Sequence, residues 1–310
     1  MSKAAYRAFR IAGRLSKSIP FPFTSRLAAS AGQAYWLVSP AKRHLVEANM
    51  RRALGQDCSE YEVRNSARKA FANYGRYWVD SFRLGSVGQI EVDAHMEEEG
   101  LVHLYDAMER GKGAILVLPH LGGWEFGGLW LAMHGSELTV VAEKLEPPEL
   151  FEWFTALRAE LGLTVIPLGP GAGPELTKVL RNGGAIALLS DRDLVGNGVE
   201  VEFFGEKTTL PAGPAMLAMR TGAALLPAAV YAFPDGLHKA VCMAPIPVER
   251  TDDLRSDVAR ITAAWAKALE GLIRRDPSQW HLFQPGWPSD KEALHDKISR
   301  LKHLRSRFEA

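Results

Sequence analysis

From about residue 100 onward the chain alternates short apolar runs with stretches of helical length. The run Ala114-Ile115-Leu116-Val117-Leu118 is apolar at every position, the pattern of a strand buried on both faces of a sheet. Further strands are predicted at 138–142, 164–167, 185–189, 199–204, 224–231 and 240–243. Helices are predicted at 101–110, 122–133, 147–161, 173–182, 211–221 and 256–273. This alternation predicts a three-layer α/β/α sandwich around a mainly parallel, mixed sheet.

Before residue 90 the pattern is helical. Lys3, Arg7, Arg10, Arg14 and Lys17 recur at spacings of four and three, which places them on one helical face. Ala4, Ala8, Ile11 and Leu15 follow one position later as an apolar stripe. The pair of stripes reads as an interfacial helix lying on anionic headgroups; the plainer alternative is a surface helix with a solvated basic face. Ile19-Pro20-Phe21-Pro22-Phe23 is expected to end that helix, and 40–85 to continue as helices punctuated at Asn73-Tyr74-Gly75. With no repeat, low-complexity tract or linker, one domain is expected over 1–310. Its parts are a helical membrane-facing cap (1–90), an α/β catalytic core (91–290) and a basic C-terminal helix (291–310).

Composition adds an asymmetry. Residues 1–55 hold ten Lys/Arg against the single acid Glu47, leaving 27 basic and 35 acidic residues in the remainder. A basic end on an acidic body points to an anionic partner met by one region. The two cysteines, Cys58 and Cys242, have no ligand-like neighbours, which disfavours a disulfide or zinc site and fits a reducing compartment. No run of roughly 20 apolar residues is present, so contact with a membrane is expected to be peripheral.

The candidate chemistry sits at His120, directly after the 114–118 strand and Pro119, where reactive groups gather in open α/β sheets. Gly122 and Gly123 allow a tight turn whose amides, with the following helix N-terminus, are expected to bind an oxyanion or a phosphate. Glu125 falls in the first turn of that helix, where a carboxylate can orient His120 and stabilise its imidazolium. His44, His95, His103, His134, His238, His295 and His303 lack such a setting, and aromatic-flanked His281 reads as structural. The absence of G-x-S-x-G and H-E-x-x-H disfavours a serine hydrolase and a metal-dependent one, and no metal or cofactor is expected.

Leu118-Pro119-His120-Leu121-Gly122-Gly123-Trp124-Glu125 resembles the H-x4-D/E motif of the lysophospholipid-type acyltransferases, in the branch holding the lipid A lauroyl and myristoyl transferases. Arg43 to Met50 is similar to that branch's early R-x5-N-[LM] stretch. Asp191-Arg192-Asp193, Phe203-Phe204-Gly205, Pro211 to Ala215 and Thr221-Gly222-Ala223 resemble its later blocks. The segment Gln279 to Pro288 is most similar to actinobacterial phosphatidylinositol mannoside acyltransferases. Two features depart from the pattern: Gly123 stands where Asn is usual, and the F-P-E-G block of the glycerolipid enzymes is absent.

The resemblance implies direct acyl transfer from an acyl-CoA co-substrate, with palmitoyl as the expected group, to a mannose hydroxyl of an anionic glycolipid. Lysophospholipid or lipid A-type acylation, and non-catalytic lipid binding, are the alternatives. It implies that an acid on the 199–204 strand partners His120; Glu200 is favoured, with Glu202 in reserve and Glu125 as the local option. It also implies that Glu143 and Arg158 belong to the site, against a surface Glu–Arg pair. Arg192 is either an ion-pair hub or a phosphate contact. The expected setting is the cytoplasmic face of the plasma membrane, as a peripheral monomer with no nucleic-acid partner.

Overall fold

The computed structural model of the protein describes Gly13, residues 19–143 and residues 148–292. The basic stripe Lys3, Arg7, Arg10, Arg14 and Lys17, and the expected helix over 291–310 apart from its first two positions, lie outside the described residues.

Among the described residues three long helices come before the sheet: α1 (Phe21–Val38), α2 (Pro40–Leu54) and α3 (Glu60–Arg83). Phe21-Pro22-Phe23 opens α1, where proline is tolerated because its missing N–H has no partner to lose in a first turn; the helix this segment is expected to end lies, apart from Gly13, outside the described residues. Asn73-Tyr74-Gly75 does not punctuate either; α3 runs unbroken through it, from a capping box at Ser59 and Glu62. Gly75 is there for packing. A Cβ on Gly75 would lie 2.1 Å from the Ala28 carbonyl oxygen, and one on Gly32 would lie 2.0 Å from that of Phe71. The two glycines let α1 and α3 cross backbone against backbone.

The short helix α4 (Gln89–Ala94) leads to β1 (Met96–Glu99), α5 (Val102–Glu109) and β2 (Ala114–Leu118). Then follow α6 (Trp124–Met133), β3 (Leu138–Ala142), α7 (Pro148–Glu160), β4 (Leu163–Pro167), α8 (Ala172–Arg181) and β5 (Ala185–Leu189). The chain continues through β6 (Val199–Phe203), β7 (Glu206–Leu210), α9 (Gly213–Thr221), β8 (Ala224–Ala232), β9 (His238–Cys242) and α10 (Leu254–Arg275). Seven strands form one mixed sheet in the order β1-β9-β8-β2-β5-β3-β4, parallel except where β8 meets β9. Among the described residues no helix is long and apolar enough to cross a membrane.

The all-apolar character of β2 follows from its central place. Ile115 and Val117 join a core with Trp265 of α10 and Leu180 of α8, while Leu116 and Leu118 join one with Leu129 of α6 and Leu104 of α5. Period-two alternation thus feeds two separate layers. The 199–204 segment departs from expectation. It is not a strand of the sandwich but half of a separate antiparallel hairpin, β6–β7. Val201 and Phe203 point inward, and Glu200 and Glu202 outward. Phe204, at positive φ in the hairpin turn, donates its N–H to buried Glu270 of α10 and so ties the hairpin down.

Candidate active site

β2 and β5 run parallel with Leu118 opposite Leu189, and each reaches a polar side chain two residues beyond its end. Ser190 N–H donates to the Leu118 carbonyl at 2.8 Å, keeping the chains aligned past the strands. His120 and Asp191 therefore meet. The His120 Nδ1 lies 2.5 Å from Asp191 Oδ1, and the His120 backbone N–H donates to Asp191 Oδ2 at 3.0 Å. The Trp280 indole Nε1–H donates to the same Oδ2 at 2.7 Å. The Asp191 side chain is fully buried, whereas His120 is partly exposed. Burial alone would push the Asp191 carboxyl up; the His120 imidazole and the three donated hydrogen bonds outweigh it and hold the carboxyl below its usual range. With Nδ1–H given to the carboxylate, Nε2 keeps the free lone pair. This is the arrangement of a general base with an orienting acid.

Glu200 does not partner His120. It stands on the exposed face of the hairpin, 3.1 Å from Lys207, with both side chains largely solvated (69% and 81% exposed). Glu202 is exposed on the same face, its backbone opposite that of Lys207. The partner is Asp191, which sequence reasoning placed in a block without giving it a role.

Glu125 also turns away from His120. Buried in the first turn of α6, it binds Arg158 of α7 through Nη2 at 2.5 Å and Nε at 3.1 Å, and lies 3.5 Å from the Tyr77 hydroxyl. Burial opposes the Arg158 charge, but the Glu125 carboxylate beside it drives the guanidinium up. Tyr77 is pushed up by burial and by the same carboxylate. Glu143 and Arg158 do not pair with one another. Glu143 instead accepts from Arg192 Nη2 at 3.1 Å, and Arg192 Nη1 also bonds Gln284. Arg192 is thus an ion-pair hub at the end of β5, on the same strand end as Asp191.

The glycine turn has a different job from the one expected. Gly122 N–H donates to the Gln279 carbonyl at 3.0 Å and Gly123 N–H to that of Val230 at 2.8 Å. Those amides, with the His120 N–H on Asp191, are spent on fixing the corner and are not open to an oxyanion. Gly122 adopts positive φ, which a side chain disfavours. A Cβ on Gly123 would strike the His238 ring at 2.7 Å. His238 lies stacked on Phe126, centroids 3.8 Å apart, and burial lowers its pKa to about 4. Glycine at 123 is a requirement of packing.

The segment after α10 closes the corner. His281 N–H donates to the His120 carbonyl at 2.6 Å, and the His281 ring sits among Tyr74, Tyr77 and Trp124. Burial lowers the His281 pKa to about 3, so its imidazole is neutral. Asn49 of α2 donates to the Leu282 carbonyl and Lys42 to that of Phe283, giving the early 43–50 stretch a part in holding this segment.

Between α6 and the sheet lies an apolar cavity with an empty volume of about 840 Å³, part of it open to solvent. Trp124, Glu125 and Arg158 line it, with Leu116 and Leu118 of β2, and small residues keep it open: Gly128 on the helix, and Ala187, Ala228 and Ala240 on the sheet. The Trp124 ring is 5.8 Å from that of His120, so His120 stands beside a cavity wall.

Comparison with known proteins places the chain beside lipid acyltransferases. The family described as bacterial lipid A biosynthesis acyltransferase matches residues 6–289. The phosphatidylinositol mannoside acyltransferase of Mycolicibacterium smegmatis is 38% identical over 226 residues, 72% of this chain and 72% of its own length. That of Mycobacterium tuberculosis is 40% identical over 240 residues, 76% of this chain and 72% of its own. The lipid A biosynthesis lauroyltransferase of Escherichia coli is 25% identical over 84% of each chain.

Proposed function

The chain belongs to the bacterial lipid A biosynthesis acyltransferase family and is a lipid acyltransferase; from that premise we propose that it moves a long-chain acyl group, palmitoyl, from acyl-CoA to a mannose hydroxyl of a phosphatidylinositol mannoside. The observation that carries the mechanism is the buried Asp191 carboxylate on His120 Nδ1. His120 Nε2 takes the proton of the acceptor hydroxyl while the oxygen attacks the thioester carbonyl. Asp191 stabilises the resulting imidazolium. The C–O bond forms, the C–S bond breaks, and the proton passes from Nε2 to the departing thiolate. No acyl-enzyme is needed. General acid–base help of this kind contributes about 10²–10⁴-fold, and holding both substrates together supplies much of the rest.

The acyl chain occupies the cavity beside Trp124, whose apolar lining suits it. Because the amides of Gly122 and Gly123 are engaged, the developing oxyanion falls to the positive end of α6, which begins next to His120. Arg192 and Arg158 are the cations near the corner for the charged parts of acceptor or coenzyme.

The proposed setting is the cytoplasmic membrane face, and contact with a membrane surface is what α1 supports. Phe23, Leu27, Leu37 and Val38 stand 63%, 68%, 66% and 77% exposed at helical spacing, and the only charged residue of the helix is Arg26. Such a stripe fits burial at the boundary between headgroups and acyl chains.

The test is turnover of palmitoyl-CoA with phosphatidylinositol mannoside on anionic liposomes, followed by release of CoA thiol and mass spectrometry of the lipid. Thiol release with an acylated mannoside is expected, and His120→Ala should lower it at least about 10²-fold. Leu27→Asp should slow turnover on liposomes while sparing detergent-dispersed substrate. Thiol release only with another lipid acceptor would reassign the substrate, and an active His120→Ala enzyme would end the base assignment.

A further inference from the structure

The Asp191 carboxylate has no contact with solvent, and its charge is satisfied from inside the protein. Two of its three hydrogen bonds come from His120 itself; the third comes from an indole nearly ninety residues away in sequence. We infer that Trp280 is a positioning residue of the dyad, whose Nε1–H fixes the Asp191 carboxylate and restrains its basicity so that the shared proton stays on His120 Nδ1. The inference rests on the reading of His120 as the general base.

Trp280 is held in place independently of the bond it makes. Its ring is fully buried against Phe204, Phe203 and Trp287, with centroids 5.4–6.2 Å away. The residues on either side clamp the other half of the corner: the Gln279 carbonyl receives Gly122 N–H, and His281 N–H reaches the His120 carbonyl. The Gln279 side chain is pinned in turn between Ala232 N–H and Asp276. One tripeptide therefore sets the His120 backbone, the glycine turn and the Asp191 rotamer together. An N–H aimed at a carboxylate favours its charged form. Without it, Asp191 would draw the proton from Nδ1 more strongly, and the imidazolium of His120 would become more stable. His120 would then be protonated at higher pH, and the acid limb of the rate profile would move upward.

Other titratable groups face this corner: His281 after α10, Tyr74 and Tyr77 on α3, Glu125 with Arg158 on α6 and α7, and Arg192 with Glu143 at the ends of β5 and β3. His281, lowered to about 3, stays neutral near pH 7, and burial raises both tyrosines, which stay protonated. None of these three changes charge across the acid limb.

The experiment replaces Trp280 with β-(3-benzothienyl)alanine, which keeps the bicyclic shape but puts sulfur in place of N–H, alongside Trp280→Phe. In the benzothienyl enzyme kcat should fall about tenfold, the worth of one hydrogen bond to a charged group. KM should stay within about twofold of the native value, since the buried indole touches no substrate. The acid limb of kcat/KM should rise by roughly half a unit to one unit. The His120 Nδ1 proton resonance should also shift, a readout that needs no turnover. A benzothienyl enzyme with the native pH profile and Nδ1 resonance would reduce Trp280 to a packing residue and overturn the inference, even if Trp280→Phe fails to fold. If the native protein turned over no lipid acceptor, the functional reading would fall, and the resonance would still decide whether Trp280 positions the pair.

Discussion

Asp191 and Glu200 are nine residues apart and carry the same charge, yet the two regions that hold them use it in opposite ways. The end of β5 buries its carboxylate completely and surrounds it with three donors. The β6–β7 hairpin leaves its carboxylate in water beside a lysine. What makes an acid useful to a base is enclosure: a carboxylate without competing water holds an imidazole in one orientation and stabilises its cation at full strength. Solvation weakens the hairpin pair to the level of any surface ion pair.

The largest effect is expected at the enclosed acid. Asp191→Ala should cut kcat/KM for acyl transfer by about 10²–10⁴-fold, because His120 loses both its orientation and the charge that stabilises its cation. The same change strips the acceptor from the His120 and Trp280 N–H groups, at about 1–3 kcal/mol for each donor left buried without a partner. The depressed carboxyl also gives this region a pH signature. Asp191 is ionised in the folded protein at pH values where the unfolded chain would already bind a proton. Its stabilisation is therefore fully present above about pH 4 and is lost as pH falls through the lower folded value. Denaturation of the native protein against Asp191→Asn should show a difference at pH 7 that shrinks below about pH 4. A fully active Asp191→Ala enzyme would break the comparison.

A smaller effect is expected at Glu125, the acid that makes the sequence motif recognisable. Its charge is buried like that of Asp191 but is given to Arg158 and Tyr77. Glu125→Gln should cost about 2–4 kcal/mol, toward the lower part of what breaking a buried pair costs, since Arg158 keeps some access to water. Its effect on kcat should be smaller than that of Asp191→Ala, as it acts by letting the Arg158 side of the corner relax. Urea unfolding and steady-state rates on one preparation separate the two. If Glu125→Gln lost as much rate as Asp191→Ala while keeping its stability, Glu125 would be the acid acting on His120.

How far this was legible in the sequence depends on the range of the interaction. The strands at 114–118 and 185–189 appear where their apolar runs predict them, because a centrally buried strand must be apolar on both faces. The place of His120 beyond a strand end follows from the same pattern. Its partner does not, since Asp191 reaches His120 only because β2 and β5 are neighbours, and strand order is not written in either run. The matching offset of two residues after each strand was the available signal. The 199–204 segment was misplaced for a related reason: alternation identifies a half-buried strand but not the sheet it joins, and the β6–β7 hairpin forms one of its own. At Asn73-Tyr74-Gly75 a glycine that looked like punctuation served helix crossing, which depends on Ala28 more than forty residues earlier.

The smallest effect should fall on the hairpin. Glu200→Gln removes one charge from a pair in which both partners are mostly in water, and such pairs contribute roughly 0–1 kcal/mol. The strand keeps its inward residues Val201 and Phe203 and its tie through Phe204 to Glu270, none of which involves the Glu200 carboxylate. Stability should therefore change by less than about 0.5 kcal/mol. The rate should stay within about twofold of the native value, a free-energy difference of about 0.4 kcal/mol. Raising the salt should bring variant and native protein closer still, because screening removes what remains of the pair. The measurement is the ratio of kcat/KM for Glu200→Gln to that for the native enzyme, at low and high salt. A loss approaching that of Asp191→Ala would mean that the hairpin folds over the strand ends during turnover and brings its acid to His120. Neutrality at Glu200 together with a large loss at Asp191 would fix the dyad where the buried geometry puts it.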